Sequence, residues 1–333
     1  MAMKQSGIIY LSNEEVKKLL DLGQAIEITE QALRDHSEGR VIWSKPEELA
    51  IKPDHGWQSW VTGCALANRP VAGFRIRAIK AAGGSRDPSR APRGPRRILI
   101  LSDREGGEIL AIMDEDWCHA VRTGAAATVA CRVLARKGSS TLAMLGAGDT
   151  ARATLPIMAK AFRLKEARVT SRSPESRQAY AKDLEPKLAI RVRAVDSTEE
   201  ALKGADMVIS ATTTSQPFVR EEWLEEGVFV YSIGKHQEME DAVYKKADKF
   251  VVDSWEHCKK KSDLERMLKE GFLTRSDIYA ELPDLIAGLK PGRESDRERI
   301  FMRAIGLVNQ DIAIADWVYR RALETGAGTV LPF

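Results

Sequence analysis

The stretch TLAMLGAGDTARATL, residues 141–155, contains the strongest fold signal in the chain. An apolar run ends at Leu145, and Gly146, Gly148 and Ala151 follow with the spacing G-x-G-x-x-A before helix-forming residues. In such a turn the first glycine permits the tight bend, the second lets the backbone approach a pyrophosphate, and the small third residue lets the helix pack on the sheet. Free amides at the helix start attract the phosphates. The pattern predicts a dinucleotide-binding turn, and the alternative is a purely structural turn in a similar domain.

The next strand indicates which dinucleotide is bound. An NAD site usually has an acidic residue at the end of this strand, whereas this chain has Arg172 and Ser173 in VTSRSPES. An arginine and a hydroxyl favour a 2′-phosphate, so NADPH is expected in preference to NADH, which remains possible. The alternative is that Arg172 is a solvated residue at a helix start. The cofactor-binding residues expected at the glycine turn are Gly146, Ala147, Gly148, Asp149, Thr150 and Ala151.

Further along the chain, short apolar runs alternate with polar segments of helical length. This alternation predicts a parallel sheet covered by helices on both faces. The runs are 141–145, 167–171, 191–195, 207–211, 228–233 and 250–252.

The flanking regions follow other patterns. Residues 12–38 begin with Ser12 and Glu15, the spacing of a capping box, and predict a helix. Residues 42–114 predict antiparallel strands, interrupted by a Gly-, Pro- and Arg-rich loop at 81–97, and residues 297–324 predict a long helix that packs back on the first domain. We therefore expect one domain from residues 1–120 and 311–333, and a dinucleotide-binding domain from residues 121–310.

The composition restricts the classes of function. The chain has 333 residues, 44% hydrophobic and 30% charged, and its formal net charge of 51 − 48 = +3 predicts neither nucleic-acid nor anionic-membrane binding. No apolar run reaches membrane-spanning length and no secretion signal is evident, so a cytoplasmic location is expected. The four cysteines and five histidines show no metal-site spacing, so no metal is expected.

Several segments together resemble the ornithine cyclodeaminase/μ-crystallin family, over about residues 10 to 330. They are GGEILAIMDEDWCHAVRTGAAATVA, TLAMLGAGDTARA, ADMVISATTTSQPFV, GVFVYSIG and IFMRAIGLVNQDIAIADWVYRRALETGAGT. The resemblance implies an α/β fold with a Rossmann domain, and an α+β substrate-binding and dimerisation domain formed by the N-terminal third and the C-terminal helix. It also implies homodimers and small-molecule substrates with a C–N bond beside a carboxylate.

The resemblance also assigns roles to individual residues. Arg122 matches an arginine that binds the substrate carboxylate. We expect it at the end of an apolar hairpin, where an arginine fork suits that anion, although an ion pair between domains is the alternative. Asp311 matches an acidic position for which we expect a structural role. Further cofactor contacts are expected from Thr123, Thr212, Thr213 and Gly234.

Three departures from the family pattern bear on mechanism. Arg75 replaces a lysine, and arginine holds an anion but does not readily give up a proton. The family's N-terminal arginine is also missing, and Lys45, the only cation near its position, is a candidate substrate-binding residue. An aspartate of the cyclodeaminases is absent, because Gly234, Lys235 and His236 occupy its region.

His236, or Lys235 beside it, is therefore the expected proton donor to an imine nitrogen. The alternatives are that His236 only stacks on the cofactor and that Lys235 is a solvated charge. Trp60 is a candidate for the substrate pocket. Trp57 would face the other side of a regular strand, and core packing is the commoner explanation for either residue.

These observations favour an NAD(P)H-dependent oxidoreductase that reduces an imine or reductively aminates a 2-oxo acid. In this hypothesis Arg122 and Arg75 hold the substrate, and His236 or Lys235 delivers the proton. The alternatives are an NAD-dependent cyclodeaminase and a non-catalytic protein that binds NADPH and a ligand, similar to μ-crystallin.

Overall fold

The computed structural model describes residues 7–52, 57–80, 97–214, 216–234, 237–260 and 262–332. Within it the chain divides into two compact units. The first comprises Met1–Arg122 and Val308–Phe333, and the second comprises Thr123–Leu307. Lys235, His236 and most of the arginine-rich loop lie outside the described residues.

The strands, in chain order, are β1 (Ile8–Leu11), β2 (Val41–Ile51), β3 (Trp57–Leu66), β4 (Val71–Lys80), β5 (Arg97–Asp103), β6 (Ile109–Asp114), β7 (Thr141–Leu145), β8 (Glu166–Thr170), β9 (Arg191–Ala194), β10 (Met207–Ser210), β11 (Phe229–Ser232), β12 (Lys249–Val252), β13 (Ala280–Glu281), β14 (Ile300–Arg303) and β15 (Thr329–Leu331). The helices are α1 (Asn13–Leu19), α2 (Leu22–Ser37), α3 (Asp116–Leu134), α4 (Asp149–Ala161), α5 (Pro174–Leu188), α6 (Thr198–Leu202), α7 (Asp241–Lys245), α8 (Trp255–Cys258), α9 (Ser262–Lys269), α10 (Leu282–Ile286) and α11 (Val308–Thr325).

The first unit contains a seven-stranded sheet in the order β15-β1-β6-β5-β4-β3-β2. The strands from β2 to β6 pair in antiparallel fashion, which confirms the prediction for this region. Strand β1 was not predicted, and it pairs parallel to β6. The capping box of Ser12 and Glu15 is present. The single helix predicted over 12–38 is wrong, because the chain breaks at Leu20 and Asp21 caps a second helix.

The inner face of this sheet packs against α11. Leu66, Leu99 and Leu101 are almost fully buried there. Gly73 of β4 allows the close approach, since a Cβ atom at this position would lie 2.8 Å from Ile312 Cδ1 of the helix. The helix therefore rests directly on strand β4, which carries Arg75, and its first turn brings Asp311 over this strand.

The second unit contains an eight-stranded parallel sheet in the order β13-β12-β14-β11-β10-β7-β8-β9. The six predicted runs all form strands of this sheet, which confirms the α/β class and the Rossmann-type arrangement. The chain proceeds from β7 to β9 on one side and from β10 onwards on the other, so the strand order reverses at β7. Such a reversal marks the usual ligand crevice of a doubly wound sheet.

Two local predictions are wrong. The helix predicted from residue 297 begins only at Val308, because Ile300–Arg303 forms a buried strand between β11 and β12. Arg122 does not end a hairpin but lies inside the 19-residue helix α3. None of the helices that the structure describes is long and apolar enough to cross a membrane.

Candidate functional site

Most of the predicted cofactor-binding residues lie at one edge of the sheet in the second unit. Parallel strands end at the same edge, so the residues that follow β7, β8, β10 and β11 lie side by side. The Gly146 N–H donates to the Thr170 carbonyl oxygen at 2.8 Å, which joins the glycine turn to the end of β8. The loops after these strands contain Gly146, Ala147, Gly148, Arg172, Ser173, Thr212, Thr213 and Gly234.

The two glycines of the turn have different reasons to be glycine. Gly146 has φ +112°, and a Cβ atom would lie 2.5 Å from the Ala211 carbonyl oxygen, so the bend itself requires glycine. Gly148 has an ordinary φ of −81°, and a Cβ atom there would meet nothing within 4 Å. The space over Gly148 is therefore open.

The helix start beyond the turn fits a phosphate. No side chain caps α4 at Gly148, so its first amides have no side-chain acceptor. Asp149 and Thr150 form the first turn, and the buried Ala151 lets the helix pack closely. Open space and uncapped amides together match what a dinucleotide phosphate needs.

Arg172 and Ser173 occupy different environments after β8. Arg172 is exposed and makes no ion pair with any residue the structure describes. Ser173 caps α5, because its hydroxyl accepts from the Ser176 N–H and donates to a Glu175 carboxylate oxygen at 2.7 Å. Arg172 is therefore available to a ligand, whereas the Ser173 hydroxyl already has two partners.

A buried glutamate organises the other two loops. Glu238 accepts from the Thr212 N–H at 2.9 Å and from the Thr212 hydroxyl at 2.7 Å. It also accepts from the Ser232 hydroxyl and the Gly234 N–H, and a Cβ atom on Gly234 would overlap the carboxylate. Thr212 and Gly234 thus form part of the loop framework, while Thr213 is exposed. The sequence analysis missed Glu238.

The first unit contains a buried cluster of charged side chains that we call the arginine cluster: Arg75, Glu115, His119, Arg122 and Asp311. Asp311 accepts from Arg122 Nε at 2.8 Å and from Arg75 Nη1 at 3.0 Å. Arg75 Nε lies 2.7 Å from a Glu115 oxygen. The charged side chains of the cluster thus come from three elements: strand β4, helix α3 together with the residue before it, and helix α11.

The two acids of the arginine cluster differ in protonation. Burial would raise the pKa of Asp311, but the charges of Arg122 and Arg75 outweigh it and hold this pKa far below its usual range. Burial raises the pKa of Glu115 to about 8 despite the charge of Arg75, and the neighbouring Asp311 adds to the rise. With Asp311 ionised and Glu115 protonated, the two arginines leave one positive charge in excess, which suits a single anion.

Arg75 and Arg122 differ in how many of their nitrogen atoms remain open to a ligand. Arg75 donates through Nη1 to Asp311 and through Nη2 to His119 Nδ1, and a Glu115 oxygen 2.7 Å away blocks its Nε without forming a hydrogen bond to it. Arg122 donates through Nε to Asp311 and through Nη2 to His119, while its Nη1 has no partner among the described residues. The ion pairs of Arg122 therefore lie within its own unit, and Arg122, more than Arg75, has donors left for a ligand.

Glu115, His119 and Asp311 also have ligand atoms within 4.8 Å of one another, a separation that a metal ion could bridge. The same atoms face two guanidinium groups, however. Two fixed positive charges oppose a third, so the electrostatics of this cluster favour an anion over a cation.

Of the two proposed pocket residues on the strands beside the cluster, Trp60 shares the inner face of the sheet. It pairs across the strands with Arg77, two residues beyond Arg75, and Lys52 Nζ lies 4.4 Å from its ring centroid. Lys45 lies in the irregular part of β2 and is exposed. The side chain of Trp57 lies outside the described residues.

His119 and Glu115 are cluster members that the sequence analysis did not single out. On a helix, residues three, four and seven positions apart share a face, and Glu115, His119 and Arg122 have this spacing. The signal was present, but it requires that α3 be recognised as a helix. Thr123, the next residue, is buried, and its hydroxyl has no hydrogen-bond partner among the described residues.

The parallel sheet with its glycine turn, together with the anion-favouring cluster, defines a dinucleotide-dependent class of enzyme. The profile of the ornithine cyclodeaminase/mu-crystallin family matches residues 8–326, so the chain belongs to this family. Its similarity to individual relatives narrows the class further.

One relative is the Delta(1)-pyrroline-2-carboxylate reductase of Bacillus cereus, which is 29% identical and matched over 98% of this chain and 100% of its own length. The solved structure of the Thermococcus litoralis Delta(1)-pyrroline-2-carboxylate reductase, in complex with NADH and L-proline, has a TM-score of 0.90 and 29% identity. The match covers 97% of this chain and all of that chain. An archaeal alanine dehydrogenase dimer with bound NAD has a TM-score of 0.87 and 28% identity, and the match covers 98% and 99% of the two chains.

These similarities confirm the predicted family and its reductase-type branch: the protein is an oxidoreductase that acts on C–N bonds. They extend over nearly the whole chain and therefore include both units.

Proposed function

We propose that the protein reduces a carboxylate-bearing imine to an amino acid with NADPH, either from a preformed imine or from a 2-oxo acid and an amine. The observation that carries this proposal is the Arg122 guanidinium. It is held at Nε and Nη2 by Asp311 and His119, and its Nη1 has no partner among the described residues. A guanidinium oriented in this way is suited to a carboxylate.

In the arginine cluster one residue would bind the substrate and two others would hold the binding residue in place. Arg122 binds the carboxylate and so fixes the face that the imine carbon presents. Asp311, ionised and fully buried, keeps Arg122 and Arg75 in place. Arg75 acts as a positioning residue, since each of its nitrogens already lies against Glu115, Asp311 or His119.

The reduced dinucleotide, when bound at the glycine turn, would supply the hydride. The imine nitrogen must gain a proton as the carbon gains the hydride. His236 or Lys235 is the proposed donor of this proton. Thr123, with its buried and unpaired hydroxyl, is proposed to contact the cofactor, as are the glycine turn and the loop of Thr212 and Thr213.

Arg172 supports the preference for NADPH. It is exposed beside the glycine turn, and it makes no ion pair with any described residue. A 2′-phosphate would give this guanidinium a charge-assisted partner. NADH remains a usable cofactor in this proposal because the turn itself contacts only the shared pyrophosphate.

We further propose that the protein is a homodimer. The outer face of the first unit's sheet has a row of apolar residues that spans β2, β3 and β4, with Leu49, Val61 and Ile76 directly opposite one another. Leu49 is 56% exposed and Ile76 is 39% exposed. A second copy of the chain is the proposed occupant of this face.

The proposed function is tested by the absorbance of NADPH in the presence of Δ1-pyrroline-2-carboxylate, or of 2-oxo acids with ammonia or methylamine. We expect consumption of NADPH with at least one of these substrates. Arg122→Met should lower kcat/KM by about ten- to a hundred-fold, the loss of a charge-assisted bond, with the Kd for NADPH unchanged. Absence of consumption with every substrate would contradict the proposal, and ammonia release from ornithine without net consumption would indicate a cyclodeaminase.

A further inference from the structure

His119 is the member of the arginine cluster that reaches furthest towards solvent. Its side chain is 20% exposed, whereas those of Arg75 and Arg122 are 5% exposed. Those of Glu115 and Asp311 are fully buried. His119 is therefore the member of the cluster most accessible to a ligand.

The contacts of His119 determine its tautomer. Its Nδ1 lies 2.9 Å from Arg122 Nη2 and 3.2 Å from Arg75 Nη2. A guanidinium group can only donate hydrogen bonds, so Nδ1 must be the acceptor and carry no proton. The single proton of the neutral ring then lies on Nε2.

The surroundings of His119 keep it neutral. The charged groups that face it are Arg75 from β4, Arg122 from α3 and Asp311 from α11, whose Oδ1 is 3.6 Å from Nδ1, with Glu115 beyond Arg75. Burial and the charge of Arg122 lower the pKa of His119 well below its ordinary value, and this outweighs the attraction of Asp311. A second ring proton would have to lie on Nδ1, against two cations.

We propose that Nε2–H of His119 donates a hydrogen bond to the substrate carboxylate beside Nη1 of Arg122, an inference that rests on the proposed function. His119 and Arg122 are three residues apart on α3, and their side chains are in contact. Two cations at Nδ1 polarise the ring and strengthen Nε2–H as a donor. His119 thus binds substrate and takes no part in proton transfer, so no bond of the ring is broken.

Two variants separate the two nitrogens of the ring. In His119→Asn the amide oxygen can replace Nδ1 as the acceptor for both arginines, while the donor at Nε2 is lost. In His119→Gln the amide nitrogen can reach the position of Nε2. The probes are Δ1-pyrroline-2-carboxylate and Δ1-pyrroline, which differ only in the carboxylate.

We expect His119→Asn to lower the ratio of kcat/KM for the carboxylated imine to that for Δ1-pyrroline by about tenfold or more, mostly through KM. His119→Gln should retain more of the ratio. The inhibition constant of L-proline should rise by a similar factor in His119→Asn, which gives the same comparison without turnover of Δ1-pyrroline. An unchanged Kd for NADPH would show that both variants are folded.

Three results would overturn the inference while leaving the proposed function intact. The first is an unchanged ratio and an unchanged inhibition constant. The second is an equal loss with both imines, which would assign His119 to the reacting nitrogen. The third is the loss of a limb of the pH profile in His119→Asn, which would show that the ring titrates. If the wild-type protein consumes no NADPH with any carboxylated imine, the proposed function itself fails.

Discussion

The net charge of the arginine cluster depends on whether Glu115 is protonated. Its pKa is raised by burial to about 8, whereas in the unfolded chain the carboxyl has its ordinary value near 4.5. The folded protein therefore holds a proton between these pH values that the unfolded chain has released. Stability conferred by this proton is complete below about pH 4.5 and is lost as the pH rises towards 8.

Glu115→Gln should remove this pH dependence, because an amide does not titrate. We expect the urea midpoint of the wild-type protein to fall between pH 5.5 and 8.5 by more than that of the variant. The matched control is Glu105→Gln, which changes an exposed carboxylate in the turn between β5 and β6. Equal slopes for the wild type and Glu115→Gln would show that Glu115 has an ordinary pKa in the folded protein.

Arg172 is the second residue whose role can be isolated. Arg172→Ala should raise the Kd for NADPH by about tenfold or more, because a charge-assisted contact to the 2′-phosphate is lost, and should change the Kd for NADH little. Fluorescence titration with each cofactor measures both constants. Arg191→Ala removes an exposed arginine at the start of β9, at the opposite edge of the sheet, and should affect neither. Equal weakening of both cofactors by Arg172→Ala would rule out phosphate recognition.

At the scale of elements, the turn between β7 and α4 makes two neighbouring glycines respond differently to one added methyl group. Gly146→Ala places the methyl group against the Ala211 carbonyl oxygen at a positive φ, so we expect strong destabilisation. Gly148→Ala meets no protein atom within 4 Å and should lower stability by about 1 kcal/mol or less.

Gly148→Ala should nevertheless weaken dinucleotide binding severely, because the methyl group would occupy the space that a pyrophosphate approaches. Thermal unfolding and cofactor titration, measured on the same variant, separate the two effects. A stable Gly148→Ala protein with unaltered cofactor affinity would mean that the phosphates do not lie over this turn.

At the scale of the whole molecule, the apolar row on the outer face of the first sheet predicts self-association. We expect the double variant Leu49→Lys/Ile76→Lys to convert a two-chain particle into single chains, because lysine pairs cannot be buried there without partners. Size-exclusion chromatography with light scattering measures the change. Leu289→Lys alters a side chain that is 69% exposed in the second unit and should leave the assembly intact. A wild-type protein that elutes as single chains would contradict the proposal.

Much of the fold could be predicted from sequence because its signals are local. The strand, glycines and helix of residues 141–155 are contiguous, and the repeated apolar runs of a buried parallel sheet stand out one at a time. Local patterns gave a wrong prediction at Ile300–Arg303, where a short apolar run next to a helix was predicted as part of that helix. Only pairing with β11 and β12 makes these residues a strand.

The sequence by itself identified the family and predicted both the dinucleotide turn and Arg122 as a candidate carboxylate ligand, because each motif that carries these predictions is contiguous in the chain. Only the tertiary structure brought Arg75, Glu115, His119 and Asp311 around that arginine from β4, α3 and α11. Which charges pair, which acid keeps its proton and which ring nitrogen accepts a hydrogen bond all depend on distance in space. Spacing along the chain does not specify these distances, because they arise only when helix α11 packs on the sheet.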